Sequence, residues 1–128
     1  MSEFVDVKTE DLAGVGLDWA IGQIEKPAGL RLDLFKSGEL DGLYMKDEDF
    51  GEVIYSPSVY WGHGGPLVTS RVTTLCSPRE GYWWSHAHGF LGERLGEGDT
   101  ALIAVCRAVV ASEIGETVAI PATLIEGE

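Results

Sequence analysis

The segment DTALIAVCRAVVASEIG, residues 99–115, constrains the fold more than any other part of this sequence. Eleven of the residues between Asp99 and Gly115 are apolar, and they cover nearly every side of a helix built on this segment. Asp99 is a favourable N-cap and Gly115 a favourable C-terminal stop. Because such a helix must be covered on nearly all sides, it lies at the centre of the fold, at a subunit contact, or at both.

The remaining segments predict an α+β fold. A second, amphipathic helix is expected where apolar residues recur at helical spacing, at Leu17, Ala20, Ile21 and Ile24. Alternating and β-branched segments predict strands at residues 5–8, 66–76 and 82–90 and near the C-terminus, whereas GERLGEG, residues 92–98, suggests a flexible loop. We therefore expect one domain over residues 1–128, with a small antiparallel sheet, one amphipathic helix, one buried C-terminal helix, and residues 27–52 as a peripheral hairpin or insertion.

Charge is distributed unevenly along this acidic chain, whose formal net charge is −12. Such a charge opposes binding to duplex nucleic acid, which depends on many Lys and Arg contacts to phosphate. Thirteen of the 21 acidic residues lie within residues 1–52, whereas residues 53–92 contain only Glu80. Four of the five arginines and all three histidines lie between residues 63 and 107. The middle of the chain therefore suits a small anion better than a polyanion.

The segment YWGHGGP, residues 60–66, predicts a tight glycine turn that opens onto a strand. Gly64 and Gly65 permit positive φ, and successive free N–H groups in such a turn can hold an anion. Arg71 follows on the expected strand, and the Trp61 ring offers a flat surface for a nucleobase. We expect this segment to form one wall of a ligand pocket; a turn with Trp61 packed on the core is the structural alternative.

Aromatic and basic side chains elsewhere add to the expected site. On a strand across residues 82–90, one face carries Tyr82, Trp84, His86 and His88, and the other carries Trp83, so at least one of the adjacent tryptophans points away from the core. Arg107 lies among apolar residues and must reach a carboxylate, a group of carbonyls or a ligand. The predicted ligand-binding residues are Tyr60, Trp61, His63, Gly64, Gly65, Arg71, Trp84, His86 and Arg107.

The residues predict neither catalysis nor a cofactor. No serine lies in a nucleophile motif, and Glu80 stands alone in the centre of the chain, so no carboxylate pair is visible there. The three histidines and Cys76 form too loose a set to predict a metal site. Cys76 and Cys106 are expected to be free thiols, as is usual in cytosolic proteins.

Four pieces of the sequence, in this order, resemble the phage NinX family of small phage and prophage proteins of undefined biochemistry: VKTEDLAGVGLDWAIG, YWGHGGPLV, WW and DTALIAVCRAVVASEIGETVAIP. Outside the C-terminal run at 100–121, the matching positions are Val7, Lys8, Thr9, Leu12, Leu17, Asp18, Trp19, Ala20, Gly64, Gly65, Pro66 and Leu67. Residues 60–63 depart from the family pattern, which has an acid before the tryptophan and a glutamine before the glycines. A ligand preference would shift with that change.

The resemblance implies a phage context, and the composition suggests the ligand class. Our leading hypothesis is a non-catalytic protein that binds a small nucleotide-derived molecule, sequestering cyclic nucleotide or cyclic ADP-ribose signals of bacterial immunity. The alternative is a protein–protein adaptor or inhibitor of a host factor that acts through exposed aromatics, and a third hypothesis is an enzyme degrading the same signals. We also expect a homo-oligomer, in which the helix that is apolar on nearly every side contributes to a subunit contact. We expect the protein in the cytoplasm of the infected or lysogenic host, because the sequence shows neither a membrane span nor the pattern of a secretory signal.

Overall fold

The computed structural model describes residues 3–38 and 40–124, and these residues form the expected α+β fold. The helices are α1 (Gly14–Glu25), α2 (Trp61–Arg71) and α3 (Ala101–Glu113). The strands are β1 (Phe4–Lys8), β2 (Arg31–Leu34), β3 (Leu40–Asp47), β4 (Gly51–Ile54), β5 (Val72–Arg79), β6 (Tyr82–Gly89), β7 (Gly92–Gly98) and β8 (Thr117–Pro121). Short 3-10 turns cover Thr9–Asp11 and Ala122–Leu124.

The described strands pair as three small antiparallel sheets. β1 pairs with β8, so the first and last of the described strands lie side by side with Val7 opposite Val118. Residues 27–52 contribute β2 and β3, which join β4 in a three-stranded sheet. Consecutive hairpins make the third sheet, in the order β5-β6-β7, and this sheet forms one wall around α3.

Helix α3 lies at the centre of the fold, as its apolar sequence predicts. The sheet β5-β6-β7 packs on one side of it, and α1 and α2 also contact it. Val105, Cys106 and Val109 are fully buried, and Gly115 ends the helix with a φ of 125°. The N-cap is Thr100 and not the predicted Asp99, because the Thr100 hydroxyl accepts the Ile103 N–H at 3.2 Å. Contacts within one chain thus cover this helix without a subunit contact.

The predicted flexible loop at residues 92–98 is wrong, because these residues form strand β7. The glycines serve close packing: a Cβ on Gly96 would lie 2.2 Å from the Ala108 nitrogen and 2.4 Å from the Ala104 carbonyl oxygen of α3. A Cβ on Gly98 would lie 2.5 Å from Ile103 Cγ2. The strand alternates glycine toward the helix with Leu95 and Glu97 away from it, so its glycine content reflects contact with α3 and not flexibility.

The predicted glycine turn at residues 60–66, and the strand expected to start at Pro66, are also wrong. Residues Trp61–Arg71 form helix α2 with Pro66 inside it, and β5 begins only at Val72. Neither Gly64 nor Gly65 has a positive φ. Gly64 is required for packing, because a Cβ there would lie 2.3 Å from the Pro57 carbonyl oxygen. Tertiary contact therefore sets the backbone of a segment whose glycines and proline favour a turn.

Candidate ligand-binding cleft

Two tryptophans from separate elements line one cleft of about 500 Å³, which we call the tryptophan cleft. Trp61 begins α2 and is 54% exposed, and Trp83 lies near the start of β6 on the face that packs on α3. Apolar side chains and the first turn of α3 complete the lining. The lining residues are Ser58, Val59, Trp61, Leu75, Trp83, Asp99, Thr100, Ala101, Leu102 and Ile103.

The loop before α2 is held in place by polar contacts. The Nδ1 atom of His63 accepts the Ser56 N–H at 3.1 Å, and the His63 ring lies against the rings of Tyr55 and Tyr60, at centroid distances of 5.3 and 4.8 Å. Burial lowers the pKa of His63, opposed by the charge of Asp47, and the neutral ring suits its role as an acceptor. His63 therefore positions the loop that carries Ser58 and Val59 to the cleft.

Asp18 of α1 holds the same loop from beneath. Asp18 is 5% exposed, and its Oδ1 atom accepts the Ser58 N–H at 2.8 Å. Burial raises the pKa of Asp18 to about 6, offset in part by the backbone and side chain of Ser58. The Ser58 hydroxyl lies near this carboxylate, but it completes no hydrogen bond with any described residue. Asp18 is thus a buried anchor between α1 and one wall of the cleft.

Arg71 is engaged by two carboxylates and lies outside the tryptophan cleft. Its Nε atom donates to Glu25 at 2.6 Å, and its Nη1 atom donates to Glu113 at 2.7 Å. These three residues are the last residues of α2, α1 and α3, respectively. A cation between two carboxylates at helix C-termini offsets their unfavourable interaction with the helix dipoles. Arg71 therefore joins the three helix ends.

Arg107 reaches carbonyl groups, which is one of the alternatives that its buried helix left open. Its Nε atom donates to the Leu12 carbonyl at 2.9 Å, and its Nη1 atom donates to the Glu97 carbonyl at 2.7 Å. The side chain lines a second cleft of about 740 Å³, which we call the acidic cleft. Among the described residues, five carboxylates and only two cations line this cleft: Glu10, Asp11, Glu97, Asp99 and Glu116, with Lys8 and Arg107. Its charge opposes an anionic ligand.

Trp84 and His86 lie on the outer face of the sheet β5-β6-β7, away from α3. Their ring centroids are 5.3 Å apart, and His86 Nδ1 lies 3.6 Å from a carboxylate oxygen of Glu93. The pairing register puts Trp84 opposite Glu97 and Trp83 opposite Gly98, so Trp83 faces α3 and its neighbour does not. Neither Trp84 nor His86 lines the tryptophan cleft.

The predicted ligand-binding residues therefore do not converge on one cleft. Trp61 lines the tryptophan cleft; Tyr60, His63, Gly64 and Gly65 adjoin it in the loop and helix that carry Trp61; Arg107 lines the acidic cleft; and Arg71, Trp84 and His86 lie elsewhere. Sequence reasoning missed Trp83, Ser58 and Ile103. The alternation of β6 contained a signal for Trp83, since it already put the two adjacent tryptophans on opposite faces.

Within residues 3–38 and 40–124, no group of three or more His, Cys, Asp or Glu side chains is arranged to hold a metal ion. Both cysteines are free, with Cys106 buried and Cys76 half-buried. Among the described helices, none has the length and apolar character needed to cross a membrane.

Comparison with family models tests the resemblance to the NinX family that four pieces of the sequence suggest. The family model described as Bacteriophage P22, NinX matches residues 8–113, which is most of the chain. The chain belongs to the NinX family. The match includes Asp18, the α2 segment and the whole of α3, so the family region spans every side of the tryptophan cleft. A search of curated proteins finds no match to this NinX-family protein.

Proposed function

We propose that this NinX-family protein binds a small nucleotide-derived molecule in the tryptophan cleft and thereby sequesters a cyclic nucleotide or cyclic ADP-ribose immune signal of the bacterial host. One observation carries the proposal: Trp61 and Trp83, from different elements, line the same cleft. Stacking of a base on an aromatic side chain is worth about 1–3 kcal/mol. Two indole rings in one cleft are therefore a strong basis for holding a flat heterocycle.

The size and lining of the cleft support a ligand of this class. Its volume of about 500 Å³ lies within the roughly 300–1,000 Å³ typical of small-molecule sites. Val59, Leu75 and Ile103 supply apolar surface, and polar groups are confined to the loop at Ser58 and the start of α3. A mostly apolar cleft with a few polar groups suits a molecule with a flat ring and a polar substituent.

Isothermal titration calorimetry against cyclic mononucleotides, cyclic dinucleotides and cyclic ADP-ribose tests the proposal. We expect at least one of them to bind, and we expect Trp61→Ala and Trp83→Ala each to weaken binding by about tenfold or more. Trp84→Ala is the matched control, because Trp84 is the next residue on the same strand but faces away from the cleft. No binding by the unmodified protein, or an equal loss in the Trp84 variant, would rule out this site.

The chemical state of the ligand separates sequestration from turnover. A binding protein returns its ligand intact after heat denaturation, whereas an enzyme that degrades the same signal returns products. Mass spectrometry of the released molecule distinguishes the two, and recovery of products would replace our proposal with the enzymatic alternative.

A second candidate function is supported by three consecutive exposed residues. Val59, Tyr60 and Trp61 are 72%, 56% and 54% exposed, and such an apolar run is typical of a protein-binding surface. An adaptor or inhibitor of a host factor would use all three, whereas the ligand cleft excludes Tyr60. Tyr60→Ala should therefore abolish capture of a host protein under the adaptor hypothesis and leave calorimetric ligand binding unchanged under our proposal.

We also propose that the protein acts as a homo-oligomer. The outer face of the sheet β5-β6-β7 supports this, because it carries the apolar side chains of Trp84 and Leu95, and Leu95 is 49% exposed. Light scattering coupled to size-exclusion chromatography measures the mass directly. A monomer at micromolar concentration would contradict the oligomer and leave the ligand cleft unaffected.

A further inference from the structure

The first turn of α3 presents unused backbone donors to the tryptophan cleft. The Thr100 hydroxyl accepts the Ile103 N–H at 3.2 Å, and the Thr100 carbonyl accepts the Ala104 N–H at 3.1 Å. No described residue accepts a hydrogen bond from the N–H of Ala101 or Leu102, although both residues line the cleft. Free N–H groups at the positive end of a helix favour an anion.

A buried hydroxyl in the lining of the same cleft also lacks a hydrogen-bond partner among the described residues, although the Asp18 carboxylate lies near it. Ser58 lines the cleft and is 2% exposed, yet its hydroxyl makes no hydrogen bond with any described residue. A buried polar group without a partner is unfavourable, and each one in a native structure needs an explanation. Rotation about a single side-chain torsion is enough to bring this hydroxyl to a new acceptor. An acceptor supplied by a ligand would account for it.

The arginines do not provide an alternative anion site in this cleft. Arg71 is held by Glu25 and Glu113, and Arg107 lines the acidic cleft. Of the residues that the structure describes, Asp99 is the one charged residue lining the tryptophan cleft, and its charge opposes an anion there. Any anion in this cleft therefore depends on backbone N–H groups and hydroxyls and is weakened by Asp99.

We infer that the tryptophan cleft contains a phosphate subsite formed by the N–H groups of Ala101 and Leu102 and the hydroxyl of Ser58. This inference rests on the proposed function and specifies its ligand: a phosphorylated heterocycle, whose ring lies on the tryptophans and whose phosphate lies at the start of α3. Recognition by backbone and hydroxyl donors replaces the arginine contacts expected from the sequence.

Titration with adenosine 5′-monophosphate and adenosine isolates the contribution of the phosphate. We expect the monophosphate to bind about tenfold or more tightly than adenosine. Ser58→Ala removes the hydroxyl but retains the backbone hydrogen bond to Asp18, so the variant should fold. The substitution should remove most of the affinity difference between the monophosphate and adenosine, without changing adenosine binding. Asp99→Asn should tighten monophosphate binding about two- to fivefold. Glu116→Gln, which removes the same charge from the acidic cleft alone, is the matched control.

Amide NMR locates the phosphate independently of affinity. The Ala101 and Leu102 amide protons should shift downfield with the monophosphate and not with adenosine. Three results would overturn the phosphate subsite but not the proposed function. They are equal affinity for the monophosphate and adenosine, unchanged monophosphate affinity in the Ser58 and Asp99 variants, or unshifted Ala101 and Leu102 amide protons. Binding of a cyclic nucleotide with no detectable monophosphate binding would also overturn the subsite while the proposed function stands. Failure of every nucleotide and cyclic signal to bind would remove both.

Discussion

Replacing Asp18 by Asn tests the energetic role of the carboxylate beneath the ligand cleft. The substitution keeps the size of the side chain and the oxygen that accepts the Ser58 N–H, but the side chain can no longer ionise. Any pH-dependent difference between the two proteins therefore reports the burial of this one charge.

The magnitude follows from the pKa shift. Burial raises the pKa of Asp18 from its ordinary value of 3.8 to about 6. The native state therefore binds more protons than the unfolded state between these values, and the contribution of Asp18 to stability falls as pH rises through this window. At about 1.4 kcal/mol per pKa unit, the ionised carboxylate costs about 3 kcal/mol at neutral pH. Asp18 is a buried residue, so solvent screening of its charge is small.

Urea denaturation of both proteins across the pH range measures this contribution. The free energy of unfolding of Asp18→Asn, minus that of the unmodified protein, should increase by about 2–3 kcal/mol between about pH 4 and about pH 8. Taking the difference cancels other titrating groups and any constant effect of the amide. Glu48→Gln, which removes one exposed charge between β3 and β4, is the control. Parallel pH curves for Asp18→Asn and the unmodified protein would refute a raised pKa.

Three further predictions concern packing, ion pairing and thiol chemistry. Gly65→Ala should change the free energy of unfolding by less than about 1 kcal/mol, because the helix favours alanine where there is space for a methyl group, whereas Pro66 disfavours a Cβ on the helical residue before it. Gly64→Ala should lower the free energy of unfolding by about 1–3 kcal/mol through the backbone contact described above, and an equal lowering by both variants would contradict this difference. Arg71→Gln should lower the stability measured in urea by about 1 kcal/mol and leave ligand titrations unchanged; loss of ligand would restore Arg71 to the binding site. Cys106 should resist a thiol reagent in the native protein, because burial raises the pKa of its thiol, whereas Cys76 should react; two reactive thiols without denaturant would contradict this burial.

The parts of the fold that could be predicted are those where the hydrophobic pattern of one segment specifies both its secondary structure and its burial. The apolar sequence of α3 requires burial on nearly every side, whatever the rest of the chain does. Val5 to Lys8 and the alternation across residues 82–89 likewise specify strands, which the structure contains as β1 and β6. These local patterns also suffice for the α+β class.

The errors arose where a distant backbone decides the role of a glycine. Glycine is required at position 64 of helix α2 because the Pro57 carbonyl occupies the space of a Cβ, and at position 96 of strand β7 because the backbone of α3 does the same. A single sequence shows the glycine but not the neighbour that requires it, and flexibility is then the natural interpretation. The tryptophan cleft depends in the same way on strand pairing, since the register that sets Trp83 opposite Gly98 selects which indole meets α3.

Arg71 pairs with carboxylates of its own chain and does not line the tryptophan cleft, and the reason is electrostatic. In a chain with 21 acidic and nine basic residues, a guanidinium group meets carboxylates of its own chain unless the fold separates them. The acid-poor middle of the sequence does not provide that separation, because α2 ends beside Glu25 and Glu113, which are distant in sequence. Backbone N–H groups are not neutralised in this way, since the first turn of a helix has no acceptors of its own. In a protein of this charge, an anion site built on a helix N-terminus is therefore physically more favourable than one built on arginine.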